Sequence, residues 1–224
     1  MPHVIAIDGP AGAGKSTVAR LLARRLGWRY LDTGALYRAV ALASMEAGVS
    51  EHEGGAIAHL AASLDLRQDA EGRTSLGARD VSPLIRTEAV TQRASGVSAL
   101  PEVRAALLAV QRNAALQENL VCEGRDMASV VFPQATLKVY LDAREEVRAG
   151  RRATELEGRD GHADRARVRH EMNARDHADS TRAAAPLRRM DDQILLDTSA
   201  LTIEDVVSAL EIMVKERLLH RQPR

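Results

Sequence analysis

The sequence predicts an α/β protein with a central parallel sheet that helices cover on both faces. Short, nearly continuous apolar runs recur along the chain, and segments with helical periodicity lie between or after them. The first apolar run leads into a glycine-rich loop and then into a helix. The runs that predict strands are Val4–Ile7, Leu120–Cys122, Leu137–Leu141 and Ile194–Leu196, and the predicted helices are Ser16–Leu26, Leu36–Ala47, Pro101–Glu118, Ala143–Glu157 and Ile203–Leu219.

The segment of residues 50–86 breaks this alternation. A helical piece, His52–Ser63, is followed by short alternating runs with Gly72 and Gly77 as turn signals. Short alternating runs between turns are typical of antiparallel strands. We therefore expect a small antiparallel insertion at residues 50–86, within a core formed by residues 1–49 and 87–224.

A second polar segment, residues 150–169, carries Gly158 and Gly161 among dense opposite charges. Polar connections of this kind usually run over the surface and are mobile. We interpret this segment as a mobile surface loop between two helices.

The composition excludes several kinds of partner and cofactor. The 31 basic and 31 acidic residues cancel, so we expect no nucleic-acid or membrane partner, and we expect a monomer. The single cysteine, Cys122, excludes an internal disulfide and a multi-cysteine metal cluster, and its apolar surroundings predict a buried, inert thiol. No charged lead precedes a long apolar run at the N-terminus, and no run reaches about 18 apolar residues, so we expect a cytoplasmic protein.

The loop "GPAGAGKS", Gly9–Ser16, matches the pattern G-x-x-x-x-G-K-[ST] after a predicted strand and at the start of a predicted helix. Glycines let successive backbone N–H groups surround phosphate oxygens, and the helix N-terminus adds partial positive charge. Lys15 is expected to reach the β- and γ-phosphates of a triphosphate, and the Ser16 hydroxyl to bind Mg²⁺. The predicted phosphate-binding residues are Gly9, Pro10, Ala11, Gly12, Ala13, Gly14, Lys15, Ser16 and Thr17. A merely glycine-rich turn explains the flanking strand and helix less well.

The motif "YLDTGALYRA", residues 30–39, again directs a strand end at a helix N-terminus. Arg38 could bind a second phosphate with both of its terminal nitrogens. A helix cap with a solvated arginine explains the same letters equally well.

The motif "LVCEGRDMASVVFP", residues 120–133, places three charged residues at the end of an apolar strand, namely Glu123, Arg125 and Asp126. Open α/β sheets bind their ligands at the carboxyl ends of parallel strands, which favours a binding site here. Pairing of Arg125 and Asp126 with neighbouring side chains is the alternative.

The motif "NARDHADSTRAAAPL", residues 173–187, spaces Arg175, Asp179 and Arg182 by four and three residues. This spacing predicts that the three lie on one helix face. A solvated stripe of ion pairs has the same spacing, and it is the alternative. Arg151 and Arg152 begin the predicted loop before this motif, where they could fold over a triphosphate.

Three classes of protein that contain a phosphate loop differ in the other sequence features that they require. A GTPase needs an Asn-Lys-x-Asp motif, and the only lysines are Lys15, Lys138 and Lys215. A transport ATPase needs a longer domain with a second signature. An enzyme that moves a phosphoryl group between two small molecules needs a donor loop, an arginine-lined acceptor site and a lid that excludes water, and the sequence offers all three.

These motifs together resemble the bacterial cytidylate kinase family. The segments "IDGPAGAGKST", "YLDTGALYRA", "IRTEAVTQRASGVSALPEVR", "EGRDM…VVFP" and "RD…D…R…APL" follow in that family's order over nearly the whole chain. The resemblance implies the P-loop nucleoside monophosphate kinase fold, with a five-stranded parallel sheet. It implies that residues 50–86 form a monophosphate-binding subdomain and that a lid lies near residues 150–165. It also implies the reaction of ATP with CMP or dCMP, in the presence of Mg²⁺, to give ADP and CDP or dCDP.

The resemblance also implies roles for individual residues. Asp126 would accept a hydrogen bond from the exocyclic amine of cytosine, whereas uracil presents a carbonyl there. The implied sets are Ser95, Arg104 and Asp126 for cytosine; Arg175 and Asp179 for ribose; Arg38, Arg125 and Arg182 for the acceptor phosphate; and Thr33 and Tyr37 as further substrate contacts. Lys15, Arg125 and Arg182, with the lid arginines Arg151 and Arg152, would act on the transferring group.

For Mg²⁺ the resemblance implies Ser16 as a ligand. It also implies Asp32 and Glu123 as part of the magnesium site, in its outer layer. The chain departs from the family pattern at two positions, with Ser16 where many members have glycine and Glu123 where aspartate is common, which leaves the role of Glu123 open. Two alternatives remain at this point: a kinase for another monophosphate such as UMP, and a non-catalytic nucleotide-binding regulator.

Overall fold

The computed structural model describes residues 2–219, without the side chains of residues 159 and 160. Its central sheet has five strands, all paired in parallel, in the order β2-β6-β1-β7-β8. The predicted five-stranded parallel sheet is therefore confirmed. The strands are β1 (Val4–Asp8), β2 (Arg29–Asp32), β6 (Leu120–Gly124), β7 (Leu137–Asp142) and β8 (Ile194–Asp197).

Helices cover both faces of this sheet, as the short apolar strands predict. Their bounds are α1 (Lys15–Leu26), α2 (Thr33–Glu46), α3 (Gly54–Ser63), α4 (Glu88–Ala99), α5 (Pro101–Asn113), α6 (Glu145–Asp160), α7 (Arg165–Thr181) and α8 (Ile203–Leu219). Val18 and Leu22 of α1 pack with Leu210 of α8 in one buried cluster. Leu36 of α2 and Leu107 of α5 belong to the other. None of the described helices is long and apolar enough to cross a membrane.

The register of the sheet decides where functional groups can meet. β1 lies between β6 and β7, with Asp8 opposite Gly124 on one side and Tyr140 on the other. Because the strands are parallel, their carboxyl ends lie at the same edge of the sheet. The glycine-rich loop after β1 and the charged segment after β6 therefore begin side by side.

The expected antiparallel insertion is present. It contains β3 (Leu66–Gln68), β4 (Thr74–Leu76) and β5 (Arg79–Asp80), which follow helix α3 and form a three-stranded antiparallel sheet. The Gln68 side chain accepts a hydrogen bond from Asp32 N–H at 2.7 Å and donates to Asp32 C=O at 3.3 Å. Ile57 and Ile85 are buried in the same apolar cluster as α2. The insertion is thereby joined to the turn between β2 and α2.

The prediction of a mobile loop at residues 150–169 is wrong. Helices α6 and α7 occupy nearly all of this segment, and a four-residue connection, 161–164, joins them. Gly161 ends α6 in a left-handed conformation, with φ at 79°, and Asp164 caps α7 by accepting from Ala166 N–H and Arg167 N–H. The dense opposite charges are solvated pairs on helix surfaces, such as Arg167 with Glu171.

Other predicted bounds also needed correction. Helix α2 begins at Thr33 instead of Leu36, because Asp32 caps it by accepting from Ala35 N–H at 2.8 Å. Helix α5 ends at Asn113 instead of Glu118, and α6 begins at Glu145 instead of Ala143. The prediction of a buried Cys122 is confirmed, and burial raises the pKa of its thiol well above the ordinary value.

Gly9 provides a test of how tightly the loop packs against the sheet. Its φ is 150°, and a Cβ at this position would lie 2.0 Å from the Leu141 carbonyl oxygen. We expect Gly9→Ala to lower the free energy of unfolding by about 3 kcal/mol, because neither backbone can give way. The matched control is Gly150→Ala, in helix α6 with no atom within 4 Å of the added Cβ, which should raise stability by about 0.5–1 kcal/mol. Urea unfolding followed by circular dichroism measures both, and equal stability of Gly9→Ala and wild type would contradict this packing.

Candidate active site

The glycine-rich loop between β1 and α1 has the shape of an anion-binding site. Gly12 and Gly14 have φ values of 71° and 88°, which only glycine adopts readily, and α1 begins at Lys15 directly after them. The backbone N–H groups of this helix start have no partner within the helix, so they favour a bound anion. Thr17 lies exposed in the same turn.

Lys15 is buried at the base of this loop, and its Nζ donates to the Pro10 carbonyl oxygen at 2.7 Å. Burial, and then the positive charge of Arg125, lower the pKa of Lys15 to about 7. A polyphosphate beside the amine would reverse this effect, because an adjacent anion favours the charged form.

Ser16 and Glu123 form the part of the site suited to a divalent cation. The Ser16 hydroxyl donates to Glu123 Oε1 at 2.6 Å, and Glu123 is buried at the end of β6. Burial, and then the nearby Asp32, raise the pKa of Glu123 above its ordinary value. Thr33, expected to contact substrate, donates its hydroxyl to the Glu123 carbonyl oxygen at 2.8 Å. A hydroxyl with an adjacent carboxylate is the oxygen chemistry that Mg²⁺ prefers.

Asp32 is engaged by a helix N-terminus and two arginines instead of by Ser16. Its Oδ1 caps α2, and its Oδ2 pairs with Arg38 at 3.2 Å and Arg86 at 3.3 Å. Burial acts to raise the pKa of Asp32, but Arg38 and Arg86 outweigh it and keep this pKa below the ordinary value. The helix cap of the second sequence alternative exists, but its solvated arginine does not, because the Arg38 side chain is only 14% exposed. Phosphate binding by Arg38 stays a prediction.

Three arginines gather around the Asp179 carboxylate. Arg125 Nε donates to Asp179 Oδ2 at 2.9 Å, and Arg182 Nη1 lies 3.4 Å from Asp179 Oδ1. Arg175, the third, lies one turn before Asp179 on α7, and burial, followed by the charge of Arg125, lowers its pKa to about 10. Among the described residues, Arg182 Nη2 and Arg38 Nε are buried without a hydrogen-bond partner. Positive charge therefore exceeds negative charge here, which suits a phosphate.

The expected single helix face for this motif is only partly correct. Arg175 and Asp179 lie on α7, but Arg182 is the residue just after it, with ψ at 143°. Its backbone N–H still donates to Ala178 C=O at 3.1 Å. The alternative of a solvated stripe does not hold for Asp179, which is buried.

A second buried pair joins Arg104 of α5 to Asp126, which follows β6. Arg104 Nη1 also donates to Ser98 C=O at 2.9 Å, and the guanidinium lies 5.4 Å from the centre of the Tyr37 ring. Ser95 lies on α4, three residues before Ser98. The structure thus brings Arg104, Asp126 and Tyr37 together from distant parts of the chain.

Asp8 is a site residue that sequence reasoning missed. Its two carboxylate oxygens accept from Met127 N–H at 2.8 Å and Ala128 N–H at 2.9 Å, and Gln193 Nε2 donates to Oδ2 at 2.9 Å. Burial raises the pKa of Asp8 to about 6. This carboxylate fixes the backbone directly after Asp126. A lone aspartate at the carboxyl end of an apolar strand was the signal available in the sequence.

The arginines expected to form a lid lie on helix α6, not on a loop. Arg151 donates to Thr198 Oγ1 at 2.9 Å and to Thr198 C=O at 2.7 Å, and Arg152 pairs with Glu155 at 2.8 Å. Arg148, which the sequence analysis did not select, instead contacts the phosphate loop, where it donates to Ala11 C=O at 2.8 Å.

A phosphate loop and an arginine-lined pocket at the same sheet edge define the class of protein: a P-loop kinase that acts on a small phosphorylated acceptor. The family model described as cytidylate kinase matches residues 5–216. The cytidylate kinase of Pseudomonas paraeruginosa is 48% identical over 212 residues, covering 92% of this chain and 93% of that protein. The one from Rhodococcus jostii is 47% identical over 220 residues, covering 96% and 95%, and the one from Neisseria meningitidis serogroup A is 48% identical over 204 residues, covering 91% and 93%. The chain belongs to the cytidylate kinase family, which confirms the resemblance seen in the sequence.

The lowered pKa of Lys15 makes a prediction about nucleotide binding. At pH 8 the amine of the free protein is largely neutral, and a bound triphosphate raises its pKa, so ATP binding should take up about one proton. Titration calorimetry with Mg²⁺ and ATP in two buffers of different ionisation enthalpy measures this uptake. The control is Lys15→Arg, whose guanidinium stays charged in both states and should show almost no uptake. Equal proton uptake by the variant and the wild type would contradict a Lys15 origin.

Proposed function

We propose that the chain transfers the γ-phosphoryl group of ATP to CMP or dCMP and releases ADP with CDP or dCDP. The single observation that carries this proposal is the buried Arg104–Asp126 pair beside Tyr37. Asp126 follows β6, and β6 pairs with β1, the strand that leads into the phosphate loop. Family membership supports the same substrates. The alternative, a non-catalytic regulator, does not explain why several arginines lie around the buried Asp179.

Asp126 distinguishes cytosine from uracil in this proposal. Its side chain is only 4% exposed, and Arg104 holds it on one side. A carboxylate accepts from the exocyclic amine of cytosine and repels the carbonyl of uracil at the same position. Arg104 and Ser95 supply the remaining contacts to the base edge, with Thr33 and Tyr37 as further contacts.

The acceptor phosphate binds where positive charge is in excess. Arg38, Arg125 and Arg182 surround it, and the buried, unpartnered Arg38 Nε and Arg182 Nη2 replace part of the water that the anion loses. Arg175 and Asp179, on consecutive turns of α7, hold the ribose hydroxyls. The ion pairs to Asp179 and Asp32 keep these arginines oriented before the substrate arrives.

The donor phosphates bind to the loop Gly9–Gly14 and to Lys15. Ser16 would bind Mg²⁺, and Glu123, which accepts from the Ser16 hydroxyl at 2.6 Å, would support it there. When bound, Mg²⁺ neutralises charge on the β- and γ-phosphates. Asp32 does not bind the phosphates itself but orients Arg38 through their ion pair. The α6–α7 hairpin acts as the lid, and Arg151 and Arg152 are its proposed contacts to the transferring group.

Catalysis depends on position and charge. An oxygen of the CMP phosphate attacks the γ-phosphorus in line, and the bond to the β–γ bridging oxygen breaks, so ADP leaves with that electron pair. No general base is required, because the attacking oxygen is already anionic at neutral pH. Lys15, Arg125 and Arg182 stabilise the negative charge that spreads over the transferring group.

The substrate class is tested with a panel of nucleoside monophosphates in a coupled assay of ADP release. We expect CMP and dCMP to be phosphorylated with far higher kcat/KM than UMP or AMP. Lys15→Ala should abolish turnover. A clear preference for UMP or AMP would overturn the assignment, and a biological effect that survives in Lys15→Ala would favour the regulatory alternative.

The role of Asp126 has a separate test. We expect Asp126→Ala to lower the CMP-to-UMP ratio of kcat/KM by about 100-fold, since the variant neither accepts from the amine nor repels the carbonyl. Efficiency with CMP should also fall strongly. The control is Asp192→Ala, an exposed aspartate paired with Lys138, which should change neither value. Unchanged selectivity in Asp126→Ala would remove Asp126 from the cytosine pocket.

A further inference from the structure

The backbone N–H and the backbone carbonyl of Ala11 in the phosphate loop are both held by side chains of the α6–α7 hairpin. Its N–H donates to Asp176 Oδ1 at 2.8 Å, and its carbonyl oxygen accepts from Arg148 Nη1 at 2.8 Å. The same Arg148 nitrogen donates to Asp176 Oδ2, so the three groups form a closed ring.

This ring lies in a protected position. The Arg148 and Asp176 side chains are 12% and 17% exposed, so solvent screens their interaction only weakly. Next to Ala11, a Cβ on Gly12 would lie 2.7 Å from both Arg148 C=O and Met172 Cε. The hairpin is therefore packed directly on the loop, with no room for a side chain between them.

The same helix α7 also carries residues of the acceptor site. Arg175 directly precedes Asp176, and Asp179 follows one turn later, where it pairs with Arg125 and Arg182. Helix α7 therefore connects the backbone of the phosphate loop to the groups proposed for CMP. The reverse path exists as well, because coupling between two binding sites is reciprocal.

We propose that Asp176 and Arg148 are positioning residues that couple the donor site to the acceptor site. They contact the loop backbone and do not touch the reacting atoms. This inference rests on the proposed function, since it assumes that CMP occupies the pocket lined by Arg175 and Asp179. The coupling works in both directions: a bound triphosphate strengthens CMP binding, and bound CMP strengthens triphosphate binding by the same factor.

The experiment measures CMP binding by titration calorimetry, with and without Mg²⁺ and a non-hydrolysable ATP analogue. For the wild type we expect the analogue to lower the Kd for CMP by about fivefold or more. In Asp176→Asn an amide nitrogen replaces the oxygen that accepts from Arg148, so two donors face each other. In Arg148→Gln the positive charge that pairs with Asp176 is lost. In both variants we expect the analogue to change the Kd for CMP by less than about twofold.

A matched control lies on the exposed side of the same helix. Glu171 pairs with Arg167 four residues earlier at 2.7 Å and is half exposed, so Glu171→Gln removes an ion pair of α7 that does not contact the loop. This variant should keep the full wild-type coupling. A variant that only destabilises the hairpin would lower the thermal midpoint and keep the coupling factor.

The outcomes separate the two proposals. If the wild type does not bind CMP in either condition, the proposed function is wrong, whatever the variants do. If the wild type binds CMP but the analogue changes nothing, or if a folded variant retains the coupling, the inference is overturned. Should Asp176→Asn fail to fold, Arg148→Gln decides the question alone.

Discussion

The parallel pairing of β1 with β6 is the constraint on which the rest of the site depends. Asp8 lies opposite Gly124, so the phosphate loop after β1 and the charged segment after β6 leave the sheet at the same level along the strands. Asp8 then joins the two segments, because its carboxylate accepts from the N–H groups that follow Asp126. A slip of one residue in this register would turn every side chain of the strand to the opposite face.

Most of the charged side chains at this edge of the sheet are held in buried ion pairs. Arg104 with Asp126, Arg125 with Asp179, and Arg38 with Asp32 are buried pairs that hold their members in place. Burying single charges would be costly, so the pairs explain how the folded chain tolerates them. Because Asp179 pairs with both Arg125 and Arg182, positive charge is in excess around it, which is why we propose this place for the anionic acceptor.

The α6–α7 hairpin shows where sequence patterns lose information. Glycines and mixed charges suggested a loop, yet the charges form ion pairs on two exposed helix surfaces. The letters "RAGRR" also do not reveal which arginine contacts the phosphate loop. Arg148 does so because helix α6 docks with that residue toward Ala11, while Arg151 is held by Thr198. Which surface a helix presents depends on its packing partners, and these are distant in sequence.

The sequence alone determined four of the five strands, the phosphate loop and the family. The strands and the loop depend on neighbouring residues, because apolar runs form strands, and successive glycines with Lys15 and Ser16 build a phosphate site from adjacent backbone N–H groups. The family was recognised from the order of several motifs along the chain. The proposed acceptor pocket was different, because Arg104, Asp126 and Asp179 come from three distant segments. Only the tertiary structure decided how they pair, that Asp8 supports them, and that Asp176 and Arg148 hold the loop. The physical reason is that hydrogen bonds and ion pairs act over a few ångströms, and chain separation says little about which groups come that close.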